Sequence, residues 1–383
     1  MLQLRISSAL LIGMGVALLA ACSGGAGGST THSSAVPPMS ADRATSALAA
    51  TTASGTASIL KTLDDEFTIG SLVDPVTGDV NPYGLDVAKV TSGEISAGDL
   101  VVCDFNNSTN VQGTGRSVLA IRPIVGAKPR HITDIGDLLG CNALALAPND
   151  FIWAAAFGAN DNPIILPNGT LATGLRQFRW HHPFGEAFVS PVNSHSVPAF
   201  YVSNAGDGSL VRVGITNAGF TFTTIVSGFP VNGGAPGGIL GPSGLNYQSS
   251  GDRLYVVDGT NNALYAIDHI SQIGANGIAV HGSTFSGPMA GDAHLIFSGS
   301  PLNGPISSAV LPGGNVVLGN TLDPNGKNLI VEISPSGQLL DVKNVDTGPA
   351  GALFGMVATG TTPNTTKIWF NDDNDNTLKL LTL

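Results

Sequence analysis

Gly241–Asp268 reads GPSGLNYQSSGDRLYVVDGTNNALYAID. An apolar strand follows the turn Pro242-Ser243-Gly244, and Ser249–Asp252 turns the chain. Leu254–Val257 forms a second strand, Asp258–Asn262 a tight hairpin, and Leu264–Ile267 a third strand. Asn, Asp and Gly fill the turns because they tolerate the positive φ that tight hairpins need. Three short strands joined this way make a meander, and one such sheet cannot bury both its faces. It needs copies of itself stacked alongside.

The chain supplies copies. Inner-strand starts fall near Gly84, Asn142, Gly185, Gly244, Ser307 and Gly351, at intervals of roughly 45–60 residues. Second strands are expected at Asp99–Cys103, Phe151–Ala155, Ala199–Val202, Arg253–Val257, Asn315–Leu318 and Lys367–Phe370. Third strands include Ser117–Ile121, Ser209–Val213, Asn328–Ile333 and Thr377–Leu383. A β-sandwich has no reason to repeat Pro-x-Gly, apolar strand and hairpin six times. The pattern predicts an all-β, six-bladed β-propeller of four-stranded antiparallel blades.

The ends carry the sharpest expectation. The last repeat stops after three strands, while Glu66–Val73 (EFTIGSLV) is strand-like and precedes the first repeat. Phe67–Val73 should therefore pair beside Thr377–Leu383 as the outermost strand of the last blade, which removes an open edge.

The repeats resemble NHL-type six-bladed propellers, whose units run Pro-x-Gly-apolar, then Gly-x-aromatic-Val-x-Asp, then Asn-x-apolar. The resemblance spans about Phe67–Leu383 and is closest around Gly244. The cationic residue that often ends the NHL unit is missing, with Ala263 and Ser209 near its place. The resemblance therefore implies the fold and leaves a shared ligand open.

Composition bounds the rest. Charged residues are 11% of the 383, against roughly 25% in an average soluble domain. A chain so poor in charge and so rich in glycine (50 residues) suits an exported β protein. The formal charge of −11 argues against nucleic acid and gives no attraction to anionic lipid. Residues 1–21 have Arg5 and then an apolar run too short to span a bilayer, as in a signal peptide. Leu19-Ala20-Ala21-Cys22 resembles the lipobox of bacterial lipoproteins. That resemblance implies lipidation at Cys22 and, with Ser23 rather than Asp after it, an outer-membrane lipoprotein facing periplasm or cell surface. Membrane contact is then through the lipid anchor alone. Residues 22–58 are rich in Ser, Thr, Gly and Ala and read as a flexible tether. Residues 59–383 form the propeller, expected to be a monomer.

Chemistry is harder to read. No Gly-x-Ser-x-Gly elbow, P-loop or Cys-x-x-Cys is present. Propeller lactonases and lyases hold a metal in the channel, and the polar candidates here are Asp86, Asn142, Glu186 and Asn246. Asp86 and Asn246 share one repeat position, whereas Ala145, Ala187 and Ala309 occupy it elsewhere, and Glu186 should face another way. No cofactor is expected. Asn371–Asn376 (NDDNDN) has calcium-like spacing but lacks the Gly and Glu of an EF-hand loop, so it reads as a hairpin turn. The densest polar-aromatic cluster is Arg176–Glu186. Within it Arg179, Trp180, His181 and His182 should border the channel mouth, with Asp86 and Asn246 lining the channel below. Trp and Arg are natural recognition residues. The expected function is an extracytoplasmic module that recognises a protein or small ligand, with a metal-dependent lactonase- or lyase-type enzyme as the alternative. Cys103 and Cys141 fall in adjacent repeats, and a disulfide between them requires Cα atoms within about 7 Å.

Overall fold

In the second strand of the fourth blade, Arg253–Asp258, successive side chains face opposite sides and both sides are apolar. Leu254 and Val256 pack toward one neighbouring blade, Tyr255 and Val257 toward the other. A strand covered on both faces reads as a continuous apolar run rather than an alternating one. That is why so many of these segments lack polar positions.

The computed structural model describes residues 57–193, 196–233, 238, 240–322, 326–348 and 352–383. Cys22 and nearly all of the tether lie outside the described residues. The chain builds six antiparallel sheets, each begun by an inner strand. These are Val80–Val87, Cys141–Leu146, Pro183–Val189, Pro242–Gln248, Pro305–Val310 and Leu353–Thr359, which open blades 1 to 6. Each inner strand touches the next, and the last touches the first, so the ring closes around a channel. An apolar cluster fills each of the six seams between blades.

Closure follows the sequence expectation. Asp65–Ser71 pairs antiparallel with Thr377–Thr382, Phe67 opposite Leu380 and Ser71 opposite Thr377, and supplies the outer strand of blade 6. The segment before it is pinned as well. The fully buried Glu332 accepts hydrogen bonds from Ser58 Oγ, Ile59 N and Leu60 N. Leu60 and Leu63 are buried in the seam between blades 5 and 6.

Three details differ from the sequence reading. In blade 2 the residue in register with Gly84 is Ala143, not Asn142: Gly84 pairs with Cys103 and Ala143 with Ala155. In blade 6 the equivalent glycine is Gly355, while Gly351 lies outside the described residues. Gly355 is required because a Cβ there would overlap Tyr83 O of blade 1. Blade 4 also carries an insertion that the repeat pattern does not announce. Its hairpin, Ile278–His281 and Thr284–Ser286, crosses to blade 3 and pairs parallel with Val226 and Ser227. It covers an edge that would otherwise be open.

Cys103 and Cys141 form a disulfide between blades 1 and 2, with Cα atoms 5.9 Å apart and both residues fully buried. Asn371–Asn376 is the hairpin turn of blade 6. Asn374 N donates to Asp372 Oδ1, and Asn376 has φ +53°.

Candidate functional site

The first residues of the inner strands lie at the end of the channel where the blade-to-blade loops gather. Three of them are aromatic and each precedes the close-packed glycine: Tyr83-Gly84, Phe184-Gly185 and Phe354-Gly355. A Cβ on Gly185 would overlap Ser243 O, so the strands converge here and bring the rings together. Tyr83 stacks on Phe354 at 4.3 Å between ring centroids, with planes 6° apart. Phe105, from the hairpin of blade 1, lies 4.6 Å from Tyr83, and Phe157 of blade 2 meets Phe105 edge-on at 5.8 Å. With Ile306 and Leu240 these rings form an apolar cluster separate from the six seams. They wall a recess of about 170 Å³ that opens onto the loop face, with Gln112, Asn232, Thr321 and Leu322 at its margin. Among the described residues no charged side chain lines it.

Below the aromatic layer the channel narrows to about 60 Å³. Asn142 lines this part, 3% exposed, and neither amide atom has a hydrogen-bond partner among the described residues. Glu186 turns into the seam between blades 2 and 3, where Asn162 Nδ2 donates to its Oε1 at 2.5 Å and Oε2 is unpartnered. Burial pushes the Glu186 carboxyl up to about 8, against the lowering effect of that hydrogen bond.

Asp86 and Asn246 line the opposite mouth, a recess of about 230 Å³. Both are occupied in holding blades together. Leu146 N donates to Asp86 Oδ2 at 2.8 Å and Val87 N to Oδ1 at 2.7 Å. Asn246 Nδ2 donates to Ser308 O and Oγ at 2.7 and 2.8 Å. Burial raises the Asp86 carboxyl above its ordinary range, opposed by Lys89 and the backbone donors. In register with them stand Ala145, Ala187, Ala309 and Val357. Among the described residues no group of three or more His, Cys, Asp or Glu could hold a metal. Asp86 and Asn246 are instead committed to these blade-to-blade hydrogen bonds.

The Arg176–Glu186 cluster does lie in a loop-face connection, from blade 2 to blade 3, but it does not form the mouth as a unit. Trp180, 1% exposed, is buried in the seam between blades 2 and 3, its Nε1 donating to Leu175 O. It offers no surface to a ligand, which corrects the expectation that it borders the mouth. Arg179 points outward, donating to Thr224 Oγ1 on the outer strand of blade 3 and lying over the exposed Phe178. His181 faces Asp207 at 3.6 Å. Only His182 reaches the aromatic wall, stacked on Phe157 at 4.3 Å from behind the recess.

Hairpin asparagines position these loops, a role that their reading as turn residues alone does not give them. Asn160, Asn262 and Asn376 all have φ of +53°, and each accepts a hydrogen bond at Oδ1 from the chain entering the next blade. The donors are His182 N, Gly304 N and Asn81 N. Part of the mouth was detectable in the sequence, since an aromatic residue precedes the strand glycine at Tyr83-Gly84 and Phe184-Gly185.

No family model matches the chain, and no curated protein matches it. Solved structures do. A gluconolactonase from Xanthomonas campestris is 14% identical over 82% of this chain and 91% of its own, with a TM-score of 0.53. A structural-genomics protein of unknown function from Bacteroides thetaiotaomicron is 10% identical over 83% and 75%, with a TM-score of 0.52. The likeness is one of fold. Virginiamycin B lyase from Staphylococcus aureus is also similar, 15% identical over 83% and 98%, with a TM-score of 0.48.

Proposed function

We propose that this protein is a lipid-anchored, extracytoplasmic recognition propeller that takes its ligand at the loop-face recess between Tyr83, Phe105, Phe157, Phe184 and Phe354. The observation that carries the reading is that cluster of rings, which the seams between blades do not need for their own packing. Loops on a rigid scaffold are where binding concentrates. Concave, mostly apolar recesses with a few polar groups at the margin are the usual small-molecule sites. Exposed Phe178, Val231 and Leu322 widen the apolar surface on the loop face.

A thermal-shift screen of charged, polar and apolar compounds tests the reading. Hits should be lost when Gln112 and Leu322, on the margin, are both replaced by Trp. Hits that all persist in that variant would place binding elsewhere. The anchor is tested separately: Cys22→Ala should abolish partition into detergent while leaving the thermal transition unchanged. Continued partition would show that the anchor is not Cys22.

The alternative, a metal-dependent lactonase- or lyase-type enzyme, is favoured by one observation: the unpartnered amide of Asn142 in the channel. Elemental analysis separates the two readings, because a stoichiometric divalent metal supports the enzyme.

A further inference from the structure

The recess also carries information about what enters it. Its walls are the rings of Tyr83, Phe105, Phe157, Phe184 and Phe354 together with Ile306 and Leu240, and among the described residues none of its lining side chains is charged. A charged guest would lose its hydration there with no counter-charge among the described lining side chains. Most of the polar groups at the margin are already engaged. Asn232 Nδ2 donates to Gly238 O and its Oδ1 accepts from Leu240 N. Thr321 Oγ1 donates to Gly304 O. A sugar, which needs several hydrogen bonds for its hydroxyls, would find few partners.

Two groups keep hydrogen-bonding capacity, the Gln112 amide and the Tyr83 hydroxyl, which have no internal partner among the described residues. Burial, reinforced by Asp373, holds the Tyr83 phenol in its protonated form, so it is available as a donor. The size is also telling. A closed apolar cavity of roughly 150 Å³ accepts benzene, and this recess measures about 170 Å³.

Building on the loop-face reading above, we propose that the ligand enters the recess with one uncharged aromatic ring bearing a single hydrogen-bond acceptor, a phenol-type group. The ring lies among Tyr83, Phe354 and Phe157, where offset and edge-on contacts between rings are favourable. The acceptor receives the Tyr83 hydroxyl.

Saturation-transfer NMR on the folded protein tests this with p-cresol, benzoate, benzylamine and glucose as probes. The expected result is saturable binding of p-cresol, at least about tenfold tighter than each of the other three. Gln112→Trp and Leu322→Trp, tested singly and together with unchanged melting, should weaken it. Tyr83→Phe should weaken p-cresol more than toluene, which has no acceptor. Benzoate, benzylamine or glucose binding as tightly as p-cresol, and lost in the Trp variants, would overturn the ring proposal while leaving loop-face recognition standing. Failure of p-cresol to bind, or binding indifferent to both Trp variants, would overturn the proposal outright.

Discussion

At the scale of single residues, Glu186 shows how a polar group in a seam couples stability to pH. Its carboxyl is raised from 4.5 to about 8 by burial. The folded chain therefore keeps a proton that the unfolded chain has lost across that interval. Stability from this group is fully present below 4.5 and falls as pH rises toward 8. The effect is on the order of a few kcal/mol. Glu186→Gln keeps an acceptor for Asn162 and carries no charge, so its urea midpoint should vary less between pH 5 and 8 and exceed the parent's at pH 8. An unchanged slope would mean that Glu186 is not the group responsible. The Cys103–Cys141 disulfide, with a sequence separation of 38, makes a second prediction. For a loop of that size, chain entropy gives about 4 kcal/mol. The Cys103→Ala/Cys141→Ala double variant should lose stability of that order, and free-thiol counting on the denatured, unreduced parent should find neither cysteine reactive.

At the scale of elements, the decisive one is the strand that arrives from the other end of the chain. Asp65–Ser71 completes blade 6, and Glu332 pins the segment just before it. A chain starting at Leu72 should lose its single cooperative transition, because the loss removes Ile69 from the seam, uncovers Leu378 and Leu380, and exposes an edge of blade 6. A cooperative, native-like melt of that truncation would count against closure by this strand. Glu332→Ala should be milder, costing about 1–3 kcal/mol by leaving the donors at Ile59 and Leu60 unpartnered.

Much at this scale was legible in the sequence, because repetition exposes it. Strands such as Arg253–Asp258 and Asn328–Ile333 fall within a residue of expectation, since turn residues bracket each apolar run. The hairpin Ile278–Ser286 was not legible, because it occurs once and pairs with a different blade. The shift from Gly351 to Gly355 was missed because Pro349 mimics the repeat's Pro-x-Gly while the close approach occurs four residues later. Trp180 was misplaced for a related reason. Its loop is on the correct face, but whether a ring on that loop turns to the mouth or into the seam is decided by packing against Phe222 and the Leu175 carbonyl.

At the scale of the whole molecule, six seams are packed alike and the polarity of the channel is distributed unevenly. Among the described residues the loop-face end is aromatic and without charged lining, the middle holds Asn142 with no amide partner, and the far end is stapled by Asp86 and Asn246. The N-terminal segment is held at Asn315 and Glu332, on the side of the ring away from the aromatic mouth. The claim that recognition occurs at the aromatic end is tested most directly by methyl NMR of the labelled protein with a compound that stabilises it. The account predicts shifts at Leu240, Ile306 and Leu322. It predicts none at Leu144, Leu245 or Val357, which border the opposite mouth. Shifts confined to that second group would contradict it.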